Sequence, residues 1–152
     1  MMKNTIISSI LFFLVLSMIS CSILRPKKTI DDPLLDFYSE EPASDTKASL
    51  RLTEKAREQL HARKKELAIN TLNQALTIDP QNPFAYYFLA LIAQDQPTRS
   101  NGFLDKAKQL FIDMPFWNAK SYELSGQNWE KLGKSKIADK QFKKAKSIYP
   151  DL

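Results

Sequence analysis

Two stretches of this chain repeat one another. "AINTLNQALTIDP" (68–80) and "ADKQFKKAKSIYP" (138–150) each set an alanine, a large apolar residue four positions on, a second alanine three further, and a proline five beyond that. Ala68, Leu72, Ala75 and Pro80 thus correspond to Ala138, Phe142, Ala145 and Pro150. Spacings of three and four place side chains on one face of an α-helix. Small residues on that face let a second helix approach closely, and proline cannot continue the helix. No such helix buries its apolar face alone, so the copies must stack.

The rest of the C-terminal region agrees. From Ala48 onward glycine is nearly absent, and the strong helix formers Ala, Leu, Lys, Glu and Gln dominate. No run alternates cleanly as a strand does. The expectation is an all-α fold of six helices, at about 48–61, 65–78, 83–95, 102–113, 118–132 and 135–148. Pro80 and Pro83 bracket the second turn, Pro97 and Gly102 the third, and Gly133 follows the fifth helix as a C-cap.

This pattern resembles the tetratricopeptide repeat, a 34-residue unit of helix A, turn and helix B, often closed by proline. Residues 49–82 and 119–152 fit that length, and three repeats are about the minimum for a stable stack. In the last repeat Tyr122, Ser125, Gly126, Trp129, Gly133, Ala138, Phe142, Ala145 and Pro150 fall on signature positions; in the first, Leu52, Ala56, Ala68, Leu72, Ala75 and Pro80 do. In the middle repeat, 83–118, Tyr86, Leu89, Ala90 and Ala93 fit helix A, and Gly102, Ala107, Phe111 and Met114 fit the turn and helix B. Between them "QDQPTRSNG" reads as a turn about five residues longer than the family's. Ala56, Ala90 and Gly126 are expected to bring helix A close to helix B, with Ala68, Ala107 and Ala138 answering from helix B. Tyr86, Phe111, Trp129 and Phe142 would fill the space around them.

The first twenty residues read differently. Lys3 supplies a positive start, Ile6 to Ile19 an uncharged apolar core, and Ser20 a small residue before Cys21, the one cysteine of the 152 residues. That is the layout of a secretion signal. A membrane-spanning helix competes, since Ile6 to Leu24 reaches the short end of the length required and Arg25, Lys27 and Lys28 follow. Met18-Ile19-Ser20-Cys21 resembles the bacterial lipoprotein signal. That resemblance implies cleavage after residue 20, acylation of Cys21 with palmitate-like chains, and, with Ser22 following, an outer-membrane anchor facing the periplasm. Residues 21–47 then form a flexible linker carrying Pro26, Pro33 and Pro42 among scattered acids. The repeat domain occupies 48–152.

Removing residues 1–20 takes away only Lys3, leaving 21 basic and 17 acidic side chains, a net charge of +4. That does not argue for nucleic acid. Nor do the seven lysines Lys131, Lys134, Lys136, Lys140, Lys143, Lys144 and Lys146, which have no interleaved arginines or surface aromatics. They form either a solvated helix face or a contact for an acidic partner, phospholipid headgroups or an anionic wall polymer. His61 is the lone histidine, and no Cys/His cluster, carboxylate pair at ligand spacing or Gly-rich phosphate loop appears. The reading is therefore of a protein with no catalytic residues, no metal and no cofactor. In the resembled repeat, helix A lines a concave groove through its second and fifth positions. Here these are Phe84 and Tyr87, with Leu91 one turn on, and the three either line a partner groove or pack within the domain. Phe116 and Trp117 either anchor an interface or staple a helix start to the core.

A closer resemblance is to the LpoP-type lipoproteins of proteobacteria, which join a proline-containing tether to a compact repeat domain. Tyr86-Tyr87-Phe88-Leu89-Ala90 and Asn128-Trp129 take the places of that family's Trp-Tyr-x-Leu-Ala helix and Asn-Trp pair. The resemblance implies a non-enzymatic adaptor, lipid-anchored at the outer membrane, that binds and stimulates a class A penicillin-binding protein in peptidoglycan synthesis. A scaffold or assembly factor for another envelope complex is the alternative. A linker of about 26 residues reaches at most about 90 Å when fully extended.

Overall fold

The chain's strong helix formers, interrupted by prolines at helix starts, produce three antiparallel helical hairpins. A computed structural model describes residues 42–152, and among these the elements are helices alone. They are α1 (Ser44–His61), α2 (Lys65–Ile78), α3 (Pro83–Ile92), α4 (Pro97–Leu110), α5 (Pro115–Lys131) and α6 (Ser135–Ile148). The expected signal segment 1–20, Cys21 and the linker up to residue 41 lie outside the described residues. Within each hairpin the helices pair as α1–α2, α3–α4 and α5–α6, and the hairpins join through α2 on α3, α1 on α3 and α4 on α5. The six-helix tetratricopeptide-like arrangement expected from the repeat is the one observed.

The three B helices end alike. The backbone N–H groups of Asp79, Phe111 and Tyr149 donate to the carbonyls of Ala75, Ala107 and Ala145, each at 2.9 Å. Three residues on, Asn82, Met114 and Leu152 close the same turn onto Asp79, Phe111 and Tyr149. This sets the register of the middle repeat and corrects one alignment. Ala107 matches Ala75 and Ala145, and the place of Ala68 and Ala138 is taken by Ser100. All five alanines and Ser100 are buried. Ser100 fits there because its hydroxyl donates to the Ala90 carbonyl at 2.8 Å, so a polar atom sits in a small-residue slot without being orphaned.

The expected long turn is likewise corrected. α4 begins at Pro97, where a proline at the first helical position loses no hydrogen bond and supplies the right φ. Gly102 is therefore mid-helix and exposed. Between the small residues of helices A and B there are ten positions from Ala90 to Ser100, against twelve from Ala56 to Ala68 and twelve from Gly126 to Ala138. The middle turn is residues 93–96, one residue longer than the turns at 62–64 and 132–134, and the shorter spacing comes from α3 ending two residues after Ala90 where α1 and α5 run five past Ala56 and Gly126. The extra residues lie instead before Gly126: α5 starts at Pro115 rather than 118, and Met114, expected in helix B, is its N-cap residue. At the front of the domain α1 starts at Ser44, four residues before its expected start.

The first and third hairpin turns are the same motif. Lys64 N–H donates to Gln59 O and Arg63 N–H to Leu60 O; Lys134 N–H donates to Trp129 O and Gly133 N–H to Glu130 O. This is the Schellman closure, whose C′ residue must take positive φ. Gly133 does so at +70° and Arg63 at +59°.

Two buried polar clasps tie consecutive hairpins. Asn82 caps α3 by accepting from Phe84 N–H and Ala85 N–H, while its amide donates to Ser49 and Thr53 of α1 at 2.8 and 2.9 Å. Asn128 of α5 donates to Ser100 and Asn101 of α4 at 2.8 and 3.2 Å. At the closest approach, Gly126 of α5 faces the ring of Phe142 of α6, and a Cβ built there would stand 2.5 Å from it.

Candidate functional site

The expected groove residues separate in the structure. Phe84 is fully buried and Tyr87 is 8 % exposed, so neither lines an open surface. Trp117 covers them: its ring centroid is 5.3 Å from that of Phe84 and 5.2 Å from that of Tyr87, both edge-on. The cause is the early start of α5, whose added first turn carries Trp117 across α3. Phe111 completes the cluster, stacked on Trp117 at 5.9 Å and edge-on to Phe84 at 5.1 Å. Of the two roles open to Phe116 and Trp117, Trp117 takes the core one. Phe116 is half-buried, with its ring 5.5 Å from Tyr149 beyond α6.

Burial has a chemical consequence at Tyr87. Loss of solvent, with a smaller contribution from the Glu123 carboxylate, pushes its hydroxyl from 10.0 up to about 12. The phenol is neutral at any physiological pH, and it neither takes nor gives up a proton there.

Leu91 alone of the three remains at an open surface. It lines a cleft of about 240 Å³ between α1 and α3, with Arg57, Leu60, His61 and Phe88. Phe88 forms an almost wholly buried floor, and Leu60 and Leu91 are half-exposed walls. Arg57 stands at the rim and pairs with Glu54 at 2.8 Å. The cleft follows from helix ends. α1 runs on to His61, well past its packing residue Ala56, while α3 stops at Ile92, so the last turn of α1 overhangs the end of α3. The repeat resemblance points to Phe84 and Tyr87 as groove or core, and the structure puts both in the core, with the open surface one turn later at Leu91. The signal that could have found it is the apolar pair Leu60 and Leu91 near the C-terminal ends of two successive A helices.

A smaller crevice of about 80 Å³ opens between α2, α3 and α4, against Ile69, Leu89 and Phe103. The Lys65–Asp95 ion pair, 3.5 Å, crosses its edge. Among the described residues no three His, Cys, Asp or Glu side chains gather as a metal site would require. Among the same residues no helix is long and apolar enough to cross a membrane.

The seven lysines divide in two. Lys131 donates to the Gln94 carbonyl at 3.2 Å, and Lys134 lies 5.0 Å over the Trp129 ring, so both are drawn onto the domain. Lys136, Lys140, Lys143 and Lys144 on α6 are exposed, as is Lys146, and make no ion pair among the described residues. Trp129 and Phe142 are half-buried, whereas Ala56, Ala90 and Gly126 are buried at the helix contacts.

The fold has solved counterparts. The chain is similar to the N-terminal domain of stress-induced protein-1 (STI-1) from C. elegans. The two are 18% identical with a TM-score of 0.64, over 71% of this chain and 89% of that one. It is also similar to the globular C-terminal domain of P. aeruginosa LpoP. That pair is 25% identical with a TM-score of 0.60, over 70% of this chain and 99% of that one. No family model and no curated protein matches the sequence.

Proposed function

Proceeding from a tetratricopeptide-like helical fold of the LpoP type, we propose that this protein is a non-catalytic adaptor of the bacterial envelope. It is anchored through acylated Cys21 at the outer membrane, and its helical domain, in the periplasm, binds and stimulates a class A penicillin-binding protein. The observation that carries this reading is the likeness to LpoP over nearly the whole of that domain. The α1/α3 cleft supplies the contact. An apolar side chain of the partner enters between Leu60 and Leu91 onto Phe88, and Arg57 at the rim favours a nearby carboxylate. Such a contact changes the synthase by differential binding to its active conformation, with no chemical step in the adaptor.

The likeness to an STI-1 domain concerns the fold alone, and a fold does not fix a partner, so a scaffold for another envelope complex is the second reading. Binding separates the two. Full-length protein in detergent is titrated against the penicillin-binding protein of the same cell. Saturable binding lost in Leu91→Glu supports the first reading, and no binding leaves the scaffold reading in its place.

A further inference from the structure

Because the chain contains three structurally equivalent B helices, it carries its own control for the lysines of α6. The shared C-terminal bonds at Ala75, Ala107 and Ala145 set the register between them. On α2 the outward arc is Glu66, Asn70, Asn73 and Gln74; on α4 the same positions are Thr98, Gly102, Asp105 and Lys106; on α6 they are Lys136, Lys140, Lys143 and Lys144. All twelve residues are exposed. Their formal charges sum to −1, 0 and +4.

Solvation alone does not require the third set, because α2 meets water at the same four positions with three amides and one acid. Elsewhere the domain pairs cations with acids, as in Arg57–Glu54, Lys108–Asp105 and Lys120–Glu123. Along α6 the one acid is Asp139, and it makes no ion pair with these four lysines. Among the described helices α6 packs on α5. Four like charges at i, i+4, i+7 and i+8 make a row about 10–12 Å long.

We infer that this row is a docking surface for an acidic polypeptide segment presenting three or four carboxylates along its length. Charge complementarity selects the occupant. The row is one helix wide, and the equivalent arcs of α2 and α4 carry charges of −1 and 0, so it matches a line of charge rather than a plane. The small face of α6, Ala138 and Ala145, is buried against α5, and the one large apolar side chain exposed along the helix is Ile137, too little to enter a bilayer as an interfacial helix does. The site lies on a B helix and is separate from the α1/α3 cleft, so the two stand or fall independently.

The test uses the full-length protein in detergent and a fluorescein-labelled octaglutamate peptide. One variant carries Lys136→Asn, Lys140→Asn, Lys143→Asn and Lys144→Gln. A control with the same change in net charge carries Lys47→Gln, Lys55→Gln, Lys64→Gln and Lys106→Gln. Helix content by circular dichroism verifies folding of both. Wild type is expected to bind in a salt-sensitive manner, the α6 variant about tenfold more weakly, and the control within about twofold of wild type. Absence of wild-type binding, or equal weakening in both variants, overturns the inference. So does protection of the four lysines from an amine-acylating reagent by phosphatidylglycerol vesicles but not by the peptide, which would assign the row to lipid headgroups.

Discussion

The Trp117 ring stands 5.3 Å from the Phe84 ring at an interplanar angle of 89°. That contact joins the first turn of α5 to the first turn of α3 and closes the surface that two of the expected groove residues would have lined. The indole N–H is buried there and has no hydrogen-bond partner among the described residues. Trp117→Ala should cost about 3–5 kcal/mol of stability, as large aromatic truncations in a core do. Trp117→Phe should cost clearly less, because it keeps ring packing and removes the orphaned donor. Urea unfolding followed by circular dichroism separates the two variants; equal losses would contradict the packing argument.

The two Schellman turns predict opposite effects at one structural position. Arg63 holds φ +59° where Gly133 holds φ +70°. Left-handed backbone is strained for a residue with a Cβ, so Gly133→Ala should destabilise by about 1 kcal/mol, while Arg63→Gly should be neutral or stabilise by up to about 1 kcal/mol. Thermal melts of both variants check the pair, and a destabilised Arg63→Gly would show that the arginine side chain contributes more than its backbone strain costs.

Gly126→Ala should destabilise by about 1–3 kcal/mol, since the added methyl overlaps the Phe142 ring and forces overpacking. A second change, Phe142→Leu, should restore part of that loss. A double-mutant cycle with no coupling between the two positions would place the strain elsewhere.

Tyr87 makes stability depend on alkaline pH. Its hydroxyl ionises near 10 in the unfolded chain and near 12 in the folded one. The folded state therefore holds the proton longer, and the stabilisation is complete below pH 10 and is lost as pH rises towards 12. Tyr87→Phe should flatten the fall in urea midpoint between pH 9.5 and 11. An unchanged slope would mean that Tyr87 ionises no later in the folded chain than in the unfolded one.

The helical stack was legible in the sequence because its packing rule is local. Alanines at 68, 75, 138 and 145, with Leu72 and Phe142 between them, mark one helix face whatever surrounds them. The starts of α4 and α5 were missed although Pro97 and Pro115 carried the signal. Proline punctuates a turn, as the sequence suggests for Pro97, but it also favours the first position of a helix, where the structure places both Pro97 and Pro115. The glycine at 102 reinforced that error from the middle of an exposed turn of α4. The choice between the two readings of Phe84 and Tyr87, groove or core, was not legible for a different reason. Phe84 and Tyr87 are covered by a ring some thirty residues downstream, and no periodicity within α3 reports a contact made by α5. The charge row on α6 was visible as a count of lysines, but only the register of three equivalent helices separates it from ordinary solvation.

The central claim is that the helical domain stimulates a peptidoglycan synthase through the α1/α3 cleft. Its most direct test is the glycan polymerisation rate of the class A penicillin-binding protein of the same cell, measured with and without the full-length protein in detergent. The account predicts a saturable rise in rate that is lost in Leu60→Glu/Leu91→Glu, two half-exposed positions whose replacement leaves the core intact. No rise with wild type, or an undiminished rise with the folded double variant, would contradict it.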